Sequence, residues 1–364
     1  MFEIILILLL WFFISLQLFV LASVLADRPI SENLKEFPQI VILVPARNEE
    51  ESIVDCLQSL VQLNYPKECL QIWVGDDNSS DKTAQLVQQF ALENTVVHYY
   101  KVNENLGSAR AKGNVLEHLV QATQANYIFV TDADIQVSPN WVKQLLPKLI
   151  SQECGIVSGT TLVQGNSLFK TWQGIDWTIG NGNLIGLDRL GIKSTAVGNN
   201  MAFTRTAYLK TGGYSKMKFS VTEDFQLFKA IRQVGFGSHN FMDAASLNIS
   251  KAQESVQNLL HQRKRWMIGA RDLPWYWLFI FGLQASFYPC IFILFGLNQN
   301  LAITIYFSKW ILQTCFVLLI HVRLRKAIPW LGLILYEFYS IYIHVLMITF
   351  YFIPIKMNWK ERSY

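Results

Sequence analysis

Two aspartates separated by one small residue follow an apolar run, and their types and spacing could bind a divalent metal ion. Residues 127–130 predict a buried strand, and Asp132 and Asp134 come shortly after it. If the strand continued through them, side-chain alternation would point both carboxylates to one face, about 7 Å apart. Mg²⁺ or Mn²⁺ would relieve the repulsion between them, because such ions take oxygen ligands and often share them with substrate phosphates. The alternative is an ordinary acidic turn after a strand.

The elements that must position these aspartates form an alternating pattern of strands and helices. This alternation predicts βαβ units and a parallel sheet, in which ligands bind at the carboxyl ends of the strands. No GxGxxG sequence follows the first strand, which argues against a dinucleotide-binding Rossmann domain. The predicted strands cover 39–44, 70–74, 96–102 and 127–130, and the helices between them begin near 50, 83 and 111.

Polar side chains follow three of these strands at the point where each one ends. The run Asp-Asp-Asn-Ser after the second strand could be only a turn, since these residues favour turns. Polar clusters at three successive strand ends instead predict a ligand site at this edge of the sheet. The clusters are Pro45, Asn48 and Glu49; Asp76 and Asp77; and Asp132 and Asp134.

Two further motifs lie downstream. Thr222 is a natural N-cap for a helix over 225–234, and acidic residues beside it complement the helix dipole, so Thr222-Glu223-Asp224 has a complete structural explanation. Catalysis by one of its carboxylates is the alternative. Residues 251–271 are amphipathic and could lie in a bilayer interface. Their basic segment, residues 262–266, could equally be an ordinary membrane-surface patch.

Composition indicates a soluble middle between membrane-embedded ends. Of 364 residues, 51% are hydrophobic and 16% charged, and the apolar excess lies at residues 1–25 and after about 273. The net charge of +4 argues against nucleic acid as the main partner. The five cysteines show no metal-type spacing, so we expect them to be reduced.

The apolar ends predict the domain organisation. Residues 1–26 are long enough for a retained transmembrane helix, with a cleaved signal peptide as the alternative. Arg28 and Lys35 follow it, so the positive-inside rule places the next domain in the cytoplasm. We expect a catalytic domain over 38–250, an amphipathic interface helix over 251–272, a transmembrane region of about three segments over 273–355 and a basic tail over 356–364. The last segment could be re-entrant or hold two pieces, because the basic tail conflicts with an external C-terminus.

The motifs P-x-x-N-E, D-D-x-S-x-D, D-x-D, T-E-D and Q-x-x-R-W occur in this order over about 220 residues. Taken together, they resemble the membrane-bound inverting glycosyltransferases of family 2, a group that includes cellulose, chitin and hyaluronan synthases and ceramide glucosyltransferases. The resemblance covers residues 39–270. It implies an α/β catalytic domain of GT-A type, Rossmann-like and cytoplasmic, between N- and C-terminal transmembrane helices, in an integral protein of a bacterial inner membrane.

The resemblance also implies a role for each matching residue. Asp224 would be the general base that takes the acceptor proton, with Glu223 and Trp266 beside the acceptor. Asp132 and Asp134 would bind Mg²⁺ or Mn²⁺ on the sugar-nucleotide diphosphate. Contacts with the nucleotide sugar are expected from Pro45, Asn48, Glu49, Asp76, Asp77, Lys112, Asp132, Gln262, Arg263 and Arg265.

Two departures from the family pattern shape the expected function. Asn78 replaces the usual glycine of D-D-G-S, a mild change because asparagine tolerates left-handed backbone. With about three C-terminal segments, the chain lacks the larger helix bundle that forms a translocation channel in the cellulose synthase-like enzymes it resembles. We therefore expect a non-processive enzyme that transfers a sugar from a UDP-hexose or UDP-N-acetylhexosamine to a lipid or other membrane-borne acceptor. The alternatives are a processive polysaccharide synthase and a non-catalytic membrane scaffold.

Overall fold

The structure is a computed structural model that describes residues 2–26, 34, 36–151, 154–193, 195–273, 275–354, 358–359 and 362–363. The chain divides into two compact units. The first, called the sheet unit, contains Pro29–Gln164 and Lys193–Lys251. The second, called the helical unit, contains Met1–Arg28, Gly165–Ile192 and Ala252–Tyr364. Residues 165–192, which lie inside the catalytic domain expected from the sequence, thus group with the apolar helices.

Strands and helices alternate through the sheet unit, as the sequence predicts. The strands are β1 (Ile40–Ala46), β2 (Leu70–Asp76), β3 (Val97–Lys101), β4 (Tyr127–Thr131), β5 (Ile135–Gln136), β6 (Ile156–Ser158), β7 (Thr161–Gln164), β8 (Asn200–Thr204), β9 (Ser238–Asn240) and β10 (Asn248–Lys251), with β11 (Asn358–Trp359) and β12 (Arg362–Ser363) in the helical unit. The helices are α1 (Phe2–Ala26), α2 (Ile53–Val61), α3 (Thr83–Glu93), α4 (Ala111–Ala122), α5 (Trp141–Ile150), α6 (Leu168–Arg189), α7 (Arg205–Thr211), α8 (Glu223–Gln233), α9 (Val256–Gly269), α10 (Trp275–Leu297), α11 (Gln299–Arg323) and α12 (Trp330–Phe352).

The main sheet of the sheet unit is mixed, not purely parallel. Its strand order in the described residues is β3-β2-β1-β4-β8-β6-β9. The first four strands are parallel, as expected, but β8 runs antiparallel to both β4 and β6. The prediction of a parallel sheet is therefore wrong for β8, which returns beside β4 in the opposite direction, whereas β6 and β9 beyond it run parallel to each other. A smaller sheet has the order β5-β10-β7.

Alternate residues of β1 enter two separate hydrophobic cores. Ile42 belongs to the same buried cluster as Leu57 of α2, whereas Leu43 belongs to the cluster that contains Leu116 of α4. Both faces of the strand are thus covered, which explains why β1 is a continuous apolar run and does not alternate with polar residues. The carboxyl ends of β1, β2 and β4 remain the polar edge of the sheet.

The Asp-x-Asp pair does not continue β4. The strand ends at Thr131, and Asp132 and Asp134 lie in the turn that leads to β5, where the Ile135 N–H donates to the carbonyl oxygen of Asp132 (3.2 Å). Strand alternation therefore does not apply to the two carboxylates, and the prediction that it orients them is wrong. Ala133 between them is fully buried, so the turn is anchored by the residue that separates the acids.

The helical unit contains the helices that are long and apolar enough to cross a membrane. Within the described residues there are four such helices: Glu3–Ala26, Trp275–Leu297, Gln299–Arg323 and Trp330–Phe352. The last is one continuous helix that begins after Pro329, so the re-entrant or two-piece alternative is not observed. Helix α9 begins at Val256. Its N-cap residue is Ser255, whose side chain accepts a hydrogen bond from the Asn258 N–H. The basic tail lies outside the described residues except for the backbone of β11 and β12, as do Arg28 and Lys35.

Candidate active site

Hydrogen bonds join the loops that follow β1 and β2. The Asn48 N–H donates to Ser79 Oγ (3.1 Å), and the Ser80 N–H donates back to Asn48 Oδ1 (2.9 Å). The Glu49 N–H donates to Thr83 Oγ1 (2.7 Å) at the start of α3. The two clusters that the sequence assigned to nucleoside binding are therefore held together as one surface.

Asp76 and Asn78 shape the second of these loops. The buried carboxylate of Asp76 accepts hydrogen bonds from the Ser79 N–H (3.1 Å) and the Tyr99 hydroxyl (3.1 Å). Burial, together with the Asp76 charge, raises the pKa of Tyr99 to about 12, so its hydroxyl remains a donor. Asn78 has φ of 56°, which confirms that asparagine takes the left-handed position expected of the usual glycine.

Arg47 is a residue of this site that no sequence motif assigned. Its guanidinium donates to the carbonyl oxygens of Asp77 and Asn78, the second at 3.1 Å. It therefore joins the end of β1 to the loop after β2, beside the half-buried Pro45. An arginine directly after the strand, two residues beyond Pro45, is the signal that could have identified it.

Lys112 links the metal motif to the base motif. Its Nζ lies 2.7 Å from Asp132 Oδ1 and 2.8 Å from Glu223 Oε1. Burial alone would lower the pKa of Lys112, but the carboxylates of Asp132, Glu223 and Asp224 outweigh it and raise the pKa above the ordinary value. Lys112 therefore stays cationic at the amino end of α4, between two acidic groups that are 91 positions apart in the sequence.

Asp224 is the carboxylate best suited to accept a proton near neutral pH. Its Oδ2 accepts a hydrogen bond from the Gly198 N–H (3.0 Å), and its Oδ1 accepts one from the Phe225 N–H (2.8 Å). Burial and the neighbouring Glu223 raise the pKa of Asp224 to about 6, against the lowering effect of Lys112 and the two N–H donors. A carboxylate with such a pKa is ionised at pH 7 and is still basic enough to take a proton.

Gly198 is required by the position of Asp224. A Cβ built at residue 198 would lie 2.6 Å from Asp224 Cβ, closer than real Cβ contacts come. The sequence drew attention to segment 198–203 without giving it a role. Gly198, the first residue of this segment, thus donates its backbone N–H to the carboxylate of the predicted base, Asp224.

Thr222 occupies the N-cap position of α8, but its side chain makes no capping hydrogen bond. Its hydroxyl lies 3.1 Å from Ser220 Oγ instead. The prediction that Thr222 caps the helix is therefore wrong in its detail, and α8 begins two residues earlier than expected, at Glu223. The structural explanation for the Thr-Glu-Asp triplet is correspondingly weaker.

The Q-x-x-R-W motif lies on α9 of the helical unit. Arg265 and Trp266 follow Gln262 by three and four residues, which places both beside it on the helix surface, and all three are half-buried. Lys264 points elsewhere: it is buried and donates to the carbonyl oxygens of Phe350 (3.2 Å) and Ile353 (2.7 Å). Four consecutive polar residues therefore do not form a uniform basic surface patch.

The carboxylate oxygens of Asp132 and Asp134 suit a hard cation that also binds to a ligand. The described residues contain no group of three or more His, Cys, Asp or Glu side chains that could hold a metal alone. The ammonium group of Lys112 beside Asp132 shows that a positive charge is stable at this position. Mg²⁺ commonly binds through one or two carboxylates together with substrate phosphates and water, so Asp132 and Asp134 fit that pattern.

Comparison with known proteins identifies the family. The chain matches Glycosyl transferase family 2 over residues 41–212 and Glycosyl transferase family group 2 over residues 127–356. A β-monoglucosyldiacylglycerol synthase of Synechocystis sp. is 26% identical over 66% of this chain and 50% of its own length. A poly-β-1,6-N-acetyl-D-glucosamine synthase of Staphylococcus aureus is 25% identical over 66% of this chain and 57% of its own length.

Two more comparisons agree. The probable glycosyltransferase YdaM of Bacillus subtilis is 28% identical over 65% of this chain and 56% of its own length. The chain thus spans about half the length of the curated relatives it matches. A mannosyltransferase of Pyrobaculum calidifontis, solved with GDP-Man and Mn²⁺, has a TM-score of 0.58 at 15% identity and covers 89% of this chain and 99% of its own. With a family match over more than half of its length, the chain belongs to the family 2 glycosyltransferases, enzymes of GT-A type fold that use nucleotide sugars.

Proposed function

We propose that this chain transfers a sugar from a UDP-hexose or UDP-N-acetylhexosamine, with inversion, to a lipid or other membrane-borne acceptor. The observation that carries this proposal is Asp224, a half-buried carboxylate that accepts hydrogen bonds from two backbone N–H groups and has a pKa raised to about 6. A glycosyl transfer with one base is a single displacement, which inverts the anomeric carbon.

The donor would bind at the carboxyl edge of the main sheet. The interlocked loops after β1 and β2 supply the nucleoside contacts, through Pro45, Asn48, Glu49, Asp76 and Asp77. Asp132 and Asp134 would hold Mg²⁺ or Mn²⁺, which stabilises the negative charge that develops on the leaving diphosphate. Lys112, cationic and beside Asp132, is suited to contact the same diphosphate.

Transfer then requires one proton acceptor and one departing group. Asp224 takes the proton from the acceptor hydroxyl as that oxygen bonds to the anomeric carbon. The bond from this carbon to the phosphate oxygen breaks, and the nucleoside diphosphate leaves. Arg265 of Q-x-x-R-W would pair with the diphosphate, because a guanidinium fork binds two phosphate oxygens and stays charged. Gln262 would support it, while Glu223 and Trp266 would contact the acceptor.

A membrane-borne acceptor is supported by the helical unit and by the relatives. Helices α1, α10, α11 and α12 are candidate membrane spans by length and composition, and one relative is named for the synthesis of a glucosyldiacylglycerol. Arg323 at the end of α11, with Arg325 and Lys326 in the loop that follows it, favours a cytoplasmic position for that loop. We place the sheet unit in the cytoplasm at a bacterial inner membrane, which protease protection in oriented vesicles would test.

The second candidate is a processive polysaccharide synthase, favoured by the similarity to the poly-β-1,6-N-acetyl-D-glucosamine synthase. A single product assay separates the two. Purified protein in lipid nanodiscs containing diacylglycerol is incubated with UDP- and GDP-sugars, each with Mn²⁺ or Mg²⁺. We expect release of UDP and one glycolipid that carries a single sugar. A ladder of products would support the synthase, and no nucleotide release from any donor would refute both.

A further inference from the structure

Three donors from two other helices converge on one carboxylate in the middle of α6. Asp176 Oδ2 lies 3.2 Å from Arg263 Nη2 of α9 and accepts a hydrogen bond from the Tyr339 hydroxyl (3.0 Å) of α12. Its Oδ1 accepts a hydrogen bond from the Tyr336 hydroxyl (2.5 Å), also on α12. Both oxygens of the Asp176 carboxylate therefore have hydrogen-bond donors, and they connect α6 to α9 and α12.

The ion pair between Asp176 and Arg263 is largely shielded from solvent. Each side chain is only 14% exposed, so neither can exchange its partner for bulk water without moving. Removing one member of a buried ion pair leaves the other charge uncompensated, which is strongly unfavourable. Arg263 is thus held by α6 in one orientation. Because Arg263 is the second residue of the Q-x-x-R-W motif, its ion pair with Asp176 links α6 to that motif.

Arg263 in turn holds the tryptophan of that motif. Its guanidinium carbon lies 4.6 Å from the centre of the Trp266 ring, a cation–π contact. Trp177, the neighbour of Asp176 on α6, meets the same ring edge-on, with 5.4 Å between ring centres and an interplanar angle of 73°. The ring of Trp266 is therefore fixed on two sides by groups whose positions depend on α6.

We propose that Asp176 is a positioning residue for acceptor binding: it orients Arg263, and Arg263 holds Trp266 in the geometry that receives the acceptor. Arg263 then affects acceptor binding only through Trp266. It does not bind the donor diphosphate, although the resemblance implied a contact between Arg263 and the nucleotide sugar. This inference rests on the proposed function, in which Trp266 contacts the acceptor. It assigns a role to Asp176, which belongs to none of the five sequence motifs.

The competing arrangement is a direct contact between Arg263 and the diphosphate. Arg263 Nε is buried and makes no hydrogen bond within the described part of the chain, so it could donate to a ligand. Donor affinity therefore decides between the two roles. A positioning residue for the acceptor changes the acceptor KM, whereas a diphosphate ligand changes the donor dissociation constant.

The test uses the full chain in nanodiscs and begins with Asp176→Asn. The amide oxygen can still accept from the two tyrosine hydroxyls, but the ion pair with Arg263 is lost. We expect the acceptor KM to rise about three- to tenfold, the scale of a lost cation–π contact, with kcat and the donor dissociation constant within twofold of wild type. Arg263→Gln should do the same, and the double variant should add little, because both substitutions break one pair.

Asp188→Asn is the matched control. Asp188 lies on the same helix, is buried, and forms an ion pair with Arg189 (3.0 Å) that does not involve α9. It should lower the thermal midpoint without changing the acceptor KM. If Asp176→Asn fails to fold, Tyr339→Phe removes only one hydroxyl from the network and should shift the acceptor KM in the same direction by a smaller factor.

Two outcomes would overturn the positioning role, and a third would overturn the proposed function itself. If wild-type protein transfers sugar but Arg263→Gln weakens donor binding about tenfold and leaves the acceptor KM unchanged, the positioning role is wrong. The positioning role is equally wrong if Asp188→Asn changes the acceptor KM as much as Asp176→Asn does. If the wild-type chain transfers nothing to any acceptor, the proposed function itself is wrong, and this is known before any variant is compared.

Discussion

The N–H of Gly198 donates a hydrogen bond of 3.0 Å to Asp224 Oδ2, and a side chain at residue 198 would overlap the same carboxylate. The two residues lie on different elements, in the loop before β8 and in the first turn of α8. The carboxylate is therefore oriented by backbone from a distant part of the sheet unit. Substitution at either residue should change catalysis, but by different physical routes.

Gly198→Ala should reduce kcat by about 100-fold, the scale of a misplacement of about 1 Å at a catalytic group. The methyl group would push the Asp224 carboxylate away from its present position, because the added Cβ would lie 2.6 Å from Asp224 Cβ. Gly180→Ala is the control, since a Cβ at residue 180 meets nothing within 4 Å. Equal kcat values for the two variants would show that the Gly198 contact is not used.

Asp224→Asn should reduce kcat by about 10²- to 10⁴-fold, because the amide cannot accept the acceptor proton. The amide oxygen can still accept the Gly198 N–H, so the local structure should persist. Donor affinity, measured by titration calorimetry with the nucleotide sugar, should remain within about twofold. Loss of donor binding instead would contradict the assignment of Asp224 as the base.

The acidic limb of the pH–kcat profile should lie near the pKa of Asp224, about 6, and not near the ordinary value for aspartate. The base must be deprotonated, so kcat should rise as the pH rises through this value. Glu223→Gln removes a charge that raises the pKa of Asp224 and should move the limb to lower pH. Lys112→Met removes a charge that lowers it and should move the limb to higher pH. Shifts in the opposite directions would refute this electrostatic account.

The same pKa predicts a change in stability. A carboxyl group whose pKa is raised by folding binds its proton more tightly in the folded state, so it favours folding at low pH. That contribution should be lost as the pH rises from the unfolded pKa through about 6. Asp224→Asn should therefore unfold at a higher temperature than wild type at pH 8, and the difference should shrink at pH 5. Thermal unfolding followed by intrinsic fluorescence measures both values.

Chelation by EDTA should remove transferase activity, and Mn²⁺ or Mg²⁺ should restore it. Asp132→Asn and Asp134→Asn should each weaken Mn²⁺ binding, measured by electron paramagnetic resonance with nucleoside diphosphate present, because each removes a carboxylate ligand. Asp55→Asn is the control, since Asp55 is exposed and pairs only loosely with Lys251 (3.6 Å). Full activity in EDTA would contradict the metal assignment.

The sequence by itself determined strands β1 to β4, the helices between them and the apolar spans, because those follow from local periodicity. Strand β1 is a continuous buried run, and its bounds were predicted to within a few residues. The sequence also determined the order of the motifs, since carboxylates that follow a predicted strand can be recognised from residue type and position alone. It could not show that β8 returns antiparallel beside β4, because strand direction depends on contacts between distant segments.

Only the tertiary structure decided which charges meet. Lys112 was a candidate phosphate ligand in the sequence, but folding places it between Asp132 and Glu223. Asp176 resembles any polar residue of a helix until Arg263 is brought beside it. Ion pairs, pKa values and steric limits depend on distances of a few ångströms between residues that are far apart in the chain. Local patterns carry the type and spacing of residues, whereas these distances arise only when the chain has packed.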